Sequence, residues 1–394
     1  MFPKLRFKEF DENWKEVTLK NCITSIDSGW SPQCESYPAN SSEWGVLKTT
    51  SVDWSGFNSS FNKKLPLELT PRKEIEVKPL DILVTRAGPT ERVGVVSVVP
   101  HSVRSKLMIS DKLIRLKSNE ENNPLFLGIS LSSVKCQNQL QSKTSGLAKS
   151  QTNISQKILG EVLLKLPSKE EQTKIASFLS AVDEKISQLT QKHELLSQYK
   201  QGMMQKLFSQ QLRFKADDGS EFGEWEGKEL HQIFQIKAGG DIEKSSVSEV
   251  RTSEFSYPIF ANSDKNKGFY GWANKFKYKE AVTVTGRGNL GIAVARNEPF
   301  YPIVRLLVLL PLVKQNLKFF EEQINLLDIV SESTGVPQLT APQLSKYKVN
   351  VPSLEEQTKI ANFLSSIDQK IEVVAQQIEQ AKQWKKGLLQ QMFI

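Results

Sequence analysis

Residues that could do chemistry are few in this chain. Glu76-Val-Lys78 stands shortly before Asp81, a carboxylate–lysine–carboxylate set of the kind a nuclease uses to hold a metal ion and activate water. Gly286-Arg-Gly288-Asn-Leu-Gly291 has the spacing G-x-G-x-x-G. A dinucleotide cradle needs a helix opening at the third glycine, whereas Ile292–Ala295 reads as a strand. The phosphate loop G-x-x-x-x-G-K-[ST] is missing, as is the Asn-Pro-Pro-aromatic signature of amino-methyl transfer; Asn122-Asn123-Pro124-Leu125 does not replace it. Cys22, Cys34 and Cys136, with His101, His193 and His231, are scattered without metal-ligand spacing. No Ser or Cys lies in a recognisable nucleophile context. These absences point to a recognition scaffold with no catalytic group, cofactor or metal.

Two loops remain, Thr85-Arg86-Ala87-Gly88-Pro89 and Thr285-Gly286-Arg287-Gly288-Asn289, each between two strand-like runs. Glycine lets the backbone approach a ligand closely, and arginine offers a planar donor fork for a phosphate or a guanine edge. The plainer reading is a hairpin turn with a solvated arginine. Lys and Arg outnumber Asp and Glu by 52 to 44, a net charge of +8 that is compatible with a polyanionic partner. The N-terminus, MFPKLRFKEF, lacks the apolar core of a signal peptide, and the run Tyr301–Val313 is interrupted by Arg305 and Pro311. No membrane span is expected, and the default location is cytoplasmic.

What positions these loops is a repeat. PSKEEQTKIASFLSAVDEKI at 167–186 returns as PSLEEQTKIANFLSSIDQKI at 352–371, with fifteen of twenty positions identical at an offset of 185. Leu5-Arg6-Phe7…Trp14 is echoed by Leu212-Arg213-Phe214…Trp225, and more weakly Ile154–Leu166 by Leu339–Val351. The variable blocks between hardly resemble each other. Each preserved block opens with Pro-Ser and a Glu-Glu pair, which the positive end of a helix dipole favours. Apolar residues then recur at steps of four and three: Ile175, Leu179, Val182, Ile186 and Leu189, and again Ile360, Leu364, Ile367, Ile371 and Val374. A period of 3.5 sustained over many turns argues for a coiled coil rather than an amphipathic helix on a globular core. Connectivity makes the pairing antiparallel, and some 40 residues of helix would be on the order of 60 Å long. The N-terminal Leu-Arg-Phe…Trp segment is then expected to dock where the second helix ends. His193, Lys200 and Lys385 interrupt the apolar stripe. They either set register or, as expected for the lysines, lay their stems along the seam with the ammonium in water.

Both variable blocks read as mainly β, with runs such as Asp81–Thr85, Val93–Val99, Ala281–Thr285 and Gly291–Ala295, and helices at Pro124–Cys136 and Leu317–Val330. The fold class is α+β: two mainly-β domains with short helices, separated by a long antiparallel two-helix coiled coil in a pseudo-twofold cyclic repeat. The divisions are 1–166, 167–210, 211–351 and 352–394.

The doubled Pro-Ser-x-Glu-Glu-Gln-x-x-Ile-Ala…Leu…Asp-x-x-Ile block resembles the helical regions of the DNA-specificity (S) subunit of type I restriction–modification systems. The Leu-Arg-Phe…Trp segments are similar to the lead-in of each target recognition domain, and Tyr257-Pro-Ile-Phe260 with Gly268-Phe-Tyr-Gly271 to the start of many such domains. The first block departs, carrying Trp44-Gly-Val-Leu-Lys48-Thr-Thr in that region. The resemblance implies two domains reading different halves of a bipartite double-stranded DNA target across an unread spacer. It also implies docking of two modification (methyltransferase) subunits, which methylate adenine, and recruitment of restriction (motor-nuclease) subunits. Candidate DNA contacts are Lys48, Thr49, Arg86, Lys143, Thr144, Lys265, Arg287, Asn289, Ser333 and Thr334. Phe178 and Phe363 either face the modification subunits or bury against the adjoining domain. The alternatives are a two-headed protein-interaction adaptor on a coiled-coil spacer, and a nuclease built on Glu76, Lys78 and Asp81.

Overall fold

The computed structural model describes residues 3–144, 152–329 and 337–393. The chain divides into two compact units, Met1–Leu189 with Gln377–Ile394, and Thr190–Gln376. Two long helices, Lys169–Phe208 and Leu354–Met392, begin just after the repeated Pro-Ser. In the first unit Leu179 and Val182 share a core with Leu388 and Met392, and Asp183 pairs with Lys385 at 2.5 Å. Trp14 lies against both Glu171, in the first turn of one helix, and Phe393 at the end of the other. In the second unit Leu207 shares a core with Leu364 and Ile367, and Lys200 pairs with Asp368 at 2.7 Å. Asp368 and Lys385 stand 185 residues after Asp183 and Lys200, so one ion pair is made twice with the helices exchanging roles. Within each unit the helices run antiparallel, as their spacing and connectivity predict.

Lys200 corrects the expectation of an ammonium in water. Its side chain is 18% exposed and bridges Asp368 and the buried Glu322, with Lys318 joining the same two carboxylates. The reason is a third element: the short helix Leu317–Ile324 abuts the seam and brings Glu322 to it. Burial disfavours the Lys318 ammonium, but Glu321 and Glu322 reverse this and raise its pKa. Lys385 likewise holds Asp183. In the first unit the matching short helix, Pro124–Leu131, carries Leu125 and Ile129 where the second has Lys318 and Glu322. These line an apolar cleft of about 810 Å³ with Leu179, Leu389 and Phe393.

Each repeated lead-in is clasped to the start of a long helix. Glu171, 1% exposed, accepts both Arg6 Nε and Nη2 at 2.7 Å and faces Trp14 Nε1 at 3.4 Å. Glu356, wholly buried, accepts Arg213 Nε at 3.0 Å, Arg213 Nη2 at 2.8 Å and Trp225 Nε1 at 3.0 Å. The hydrogen bonds that each arginine donates to its carboxylate raise both arginine pKa values. The next residue completes the joint: Gln172 and Gln357 donate to Pro167 O and Pro352 O and accept the N–H of Asn123 and Asn316, which cap the short helices. Thus one glutamate of each pair faces solvent near the helix dipole, and the other ties three segments together. The N-terminal segment also docks on the end of the second helix, where Leu5 N–H donates to Gln391 O at 3.0 Å.

The two β domains share a topology despite their dissimilar sequences. The first has a four-stranded antiparallel sheet in the order Ile23–Ser28, Leu113–Ser118, Ile82–Thr85, Val96–Val98. The second repeats that order with Phe234–Ala238, Leu306–Pro311, Ala281–Thr285 and Ala293–Arg296. The central strands are apolar on both faces because both faces are covered. Ile82 and Val84 join the core shared with the helices, whereas Leu83 packs with Val46 and Leu107 of a smaller sheet. Burying each such side chain contributes roughly 1.5–3 kcal/mol. In the smaller sheets Gly45–Leu47 runs parallel to Leu107–Met108, and Tyr257–Phe260 parallel to Tyr301–Pro302. The Trp44 and Tyr257 segments therefore hold equivalent places, as their alignment anticipated. The helix expected at Pro124–Cys136 is broken into Pro124–Leu131 and Val134–Ser142. The one expected at Leu317–Val330 ends at Ile324.

Candidate nucleic-acid interface

The arginine loops leave the ends of equivalent central strands. Thr285 Oγ1 donates to Asn289 O at 2.5 Å and accepts Ile292 N–H at 3.0 Å, closing the second loop from inside. Thr85 does the same in the first, bonding Arg92 O and Val95 N–H. Strand Ala293–Arg296 follows Gly291, with no helix at that glycine, so the glycines serve a turn and no dinucleotide cradle. The weak echo between Ile154 and Leu339 also gains a meaning. Ile154 N–H donates to Arg86 O at 3.0 Å, and Leu339 N–H donates to Gly286 O at 2.9 Å. The returning chain is stitched to each loop.

In the second domain three of the sequence candidates come together. Asn262, just past Tyr257–Phe260, accepts the N–H of Gly286 at 2.6 Å and of Arg287 at 3.1 Å, and donates to Arg287 O at 2.7 Å. Asn289 Nδ2 donates to Asp264 Oδ2 at 2.6 Å, which lowers the Asp264 pKa. Lys265 follows directly. Arg287, Asn289 and Lys265 are exposed, and the Arg287 guanidinium has no hydrogen-bond or ion-pair partner among the described residues. Ser333 and Thr334 lie outside the described residues.

In the first domain Lys48 and Thr49 occupy the same strand end as Asn262. They line a cleft of about 370 Å³ with Lys63 and Lys112. The link to the arginine loop runs the other way here. Arg92 donates to Thr49 O at 3.2 Å and Val52 O at 2.7 Å, and pairs with Asp53 at 2.5 Å. Arg86 is half-buried, its guanidinium unpaired among the described residues. Lys143 and Thr144 are occupied locally: Lys143 approaches Glu161 at 3.9 Å, and the Thr144 hydroxyl donates to Gln141 O at the helix end. Arg92, Asn262 and Asp264 were missed from sequence. Only the proximity of Asn262 to the Tyr-Pro-Ile-Phe run could have drawn attention to it.

The nuclease set is a structural knot. Glu76 takes the Lys78 ammonium at 2.5 Å and Lys106 N–H at 2.7 Å; burial opposes its ionisation, but these partners keep its pKa low. Asp81 is buried, accepts Lys78 N–H and faces Arg115 at 3.6 Å. Among the described residues no group of three His, Cys, Asp or Glu could hold a metal ion, and no helix is long and apolar enough to cross a membrane. Phe178 packs edge to face on Phe7 and Trp384, and Phe363 on Phe214, which leaves both rings half-buried.

Comparison with known proteins agrees with this construction. The family model described as the type I restriction modification DNA specificity domain matches residues 12–198 and 223–383. The Escherichia coli type I restriction enzyme EcoEI specificity subunit is 40% identical over 171 residues, which cover 43% of this chain but only 29% of that subunit. A putative MjaX specificity subunit from Methanocaldococcus jannaschii is 25% identical across 98% of this chain and 94% of its own length. The crystal structure of an S subunit from M. genitalium superposes with a TM-score of 0.65 at 18% identity, covering 100% of this chain and 99% of that one, and so shares its fold. Two domains of one topology, each with a clasped helix and a stitched arginine loop, are matched separately by one family model. The chain belongs to the type I restriction–modification DNA specificity family.

Proposed function

We propose that this chain reads two short double-stranded DNA sequences separated by an unread spacer, and directs partner subunits that methylate adenine and restrict DNA. The observation that carries the reading is the twin presentation of Arg86 and Arg287. Both guanidinium groups are unpaired among the described residues, and both lie on loops whose backbones are held at equivalent places by the returning chain, Ile154 on Arg86 O and Leu339 on Gly286 O. A donor fork held in place can discriminate a base edge, whereas a mobile one supplies only charge. Lysines such as Lys48 and Lys265 would add phosphate contacts that fix orientation and make affinity fall with salt. Because the two domains differ in the residues on these loops, each is assigned its own half-site.

In this reading two modification subunits and the motor-nuclease subunits join the chain in the cytoplasm and supply the chemistry. Phe178 and Phe363 are proposed as contact points for the modification subunits, with Trp384, 54% exposed beside Phe178, extending the first. The test is selection from randomised duplexes by the full chain assembled with its modification subunit. Two enriched stretches at a fixed, unselected interval are expected, with affinity declining as salt rises. Retention of duplexes without sequence enrichment overturns the proposal.

A further inference from the structure

Asn266, Lys267 and Gly268 have successive φ values of 47°, 51° and 78°. Residues other than glycine avoid that region unless their surroundings impose it. Here the imposing groups are in view. Ala261 N–H donates to Gly268 O at 2.7 Å, and Arg296 Nη2 donates to Lys267 O at 2.5 Å. Arg296 is buried, its Nε bonded to Thr283 Oγ1 at 3.1 Å and its guanidinium 3.5 Å from the centre of the Phe260 ring. Burial pushes its pKa down to about 10, partly offset by Glu321, so it stays charged at neutral pH. It has no carboxylate ion-pair partner among the described residues. A buried cation in that state is disfavoured unless polar groups receive it, and the groups that do are a hydroxyl and the turn's own carbonyl.

On the other side of the turn, the three Asn262 hydrogen bonds and the Asn289–Asp264 bond fasten Ser263–Lys267 to the Arg287 loop. Lys265, Lys267 and Arg287 are exposed on this joined surface. The first domain uses a different device, the Arg92 fork on Thr49, Val52 and Asp53.

We propose that Arg296 and Asn262 are positioning residues that set the base preference of the second half-site, Arg296 by holding the Lys267 carbonyl and Asn262 by holding the Arg287 backbone. This rests on the reading of the chain as a two-half-site DNA reader. Neither residue needs to touch DNA.

The test selects from randomised duplexes with the full chain and its modification subunit, comparing wild type with Arg296→Lys and Asn262→Ala. Arg296→Lys keeps the charge and loses the fork; Asn262→Ala changes a half-exposed side chain and protects the test should the buried variant fail to fold. Both variants are expected to lose roughly tenfold of the discrimination at the second half-site, the scale of one well-made base contact. Preference at the first half-site and the salt dependence of affinity should match wild type, because no exposed cation is removed. Asn262→Asp, which keeps the acceptor and loses the donor to Arg287 O, should fall between. Unaltered second-half preference in both main variants overturns the inference, and so does an equal loss at both halves. A wild-type chain that enriches no sequence instead overturns the DNA-reading proposal, and does so before any variant is made.

Discussion

Glu356→Gln probes the joint on which the second unit depends. Glu356 is 0% exposed and accepts two hydrogen bonds from Arg213 and one from Trp225. Glutamine keeps one acceptor oxygen, but its amide nitrogen must face either Arg213 Nε or both Arg213 Nη2 and the indole N–H, donor against donor. At least one charge-assisted bond is lost, and each such bond contributes about 1.5–3 kcal/mol. Arg213 is not stranded: its side chain is 22% exposed and also bonds Gly223 O at 2.7 Å. The loss should therefore lie below the full penalty for orphaning a buried charge, at about 2–4 kcal/mol. For a unit of this size that is a fall in melting temperature of roughly 5–15 °C. Thermal unfolding of the full chain is the assay, with a double-mutant cycle against Arg213→Lys to isolate the pair. Glu171→Gln should do the same to the first unit, where Arg6 makes equivalent bonds. Shifts below about 1 kcal/mol at both sites, or additive single mutants, would refute the clasp as a source of stability.

Three further outcomes follow from named groups. Gly202 and Gly387 lie inside the long helices with open space where a Cβ would go, so Gly202→Ala and Gly387→Ala should each stabilise by about 0.5–1 kcal/mol in denaturant titrations; a loss of stability would contradict the open helical geometry. Burial opposes ionisation of Asp368, but Lys200 and Lys318 outweigh it and hold its pKa below the ordinary value. Its contribution is therefore complete above about pH 4 and fades as pH falls through the lower folded value, so Asp368→Asn should flatten the acid limb of the stability profile. An acid limb identical to wild type would show that the cluster carries no such linkage. Arg287→Ala should relax the second half-site in binding selections and, if Arg287 also meets a phosphate, reduce the slope of log affinity against log salt by about 0.9; unchanged selectivity would remove it from the interface.

The frame was legible because it is written twice. The 3.5-residue spacing placed Leu179, Val182, Leu364 and Ile367 in the seam, and all four are buried there. The run Asp81–Thr85 read as a strand, and the structure adds that both its faces are covered, with Ile82 and Val84 in one core and Leu83 in another. What pattern alone missed are roles that depend on a distant partner. The second glutamate of each pair looked like a dipole residue, because Arg6 and Arg213 lie 165 and 143 residues away from their acceptors. Lys200 looked solvated because the short helix that delivers Glu322 has no fixed sequence distance from the seam. Asn262 and Arg296 carry no local signature; their importance comes from strand register, which places Asn262 beside the Arg287 loop and Arg296 opposite Ala281.

The central claim is that two domains of one topology read two different sequences for one modification event. Methylome sequencing of a host expressing this chain with its modification subunit tests it most directly. The account predicts one motif of two short specified parts, a modified adenine in each, and a constant unspecified gap between them. Modification at a single uninterrupted motif, or none that depends on this chain, would contradict it.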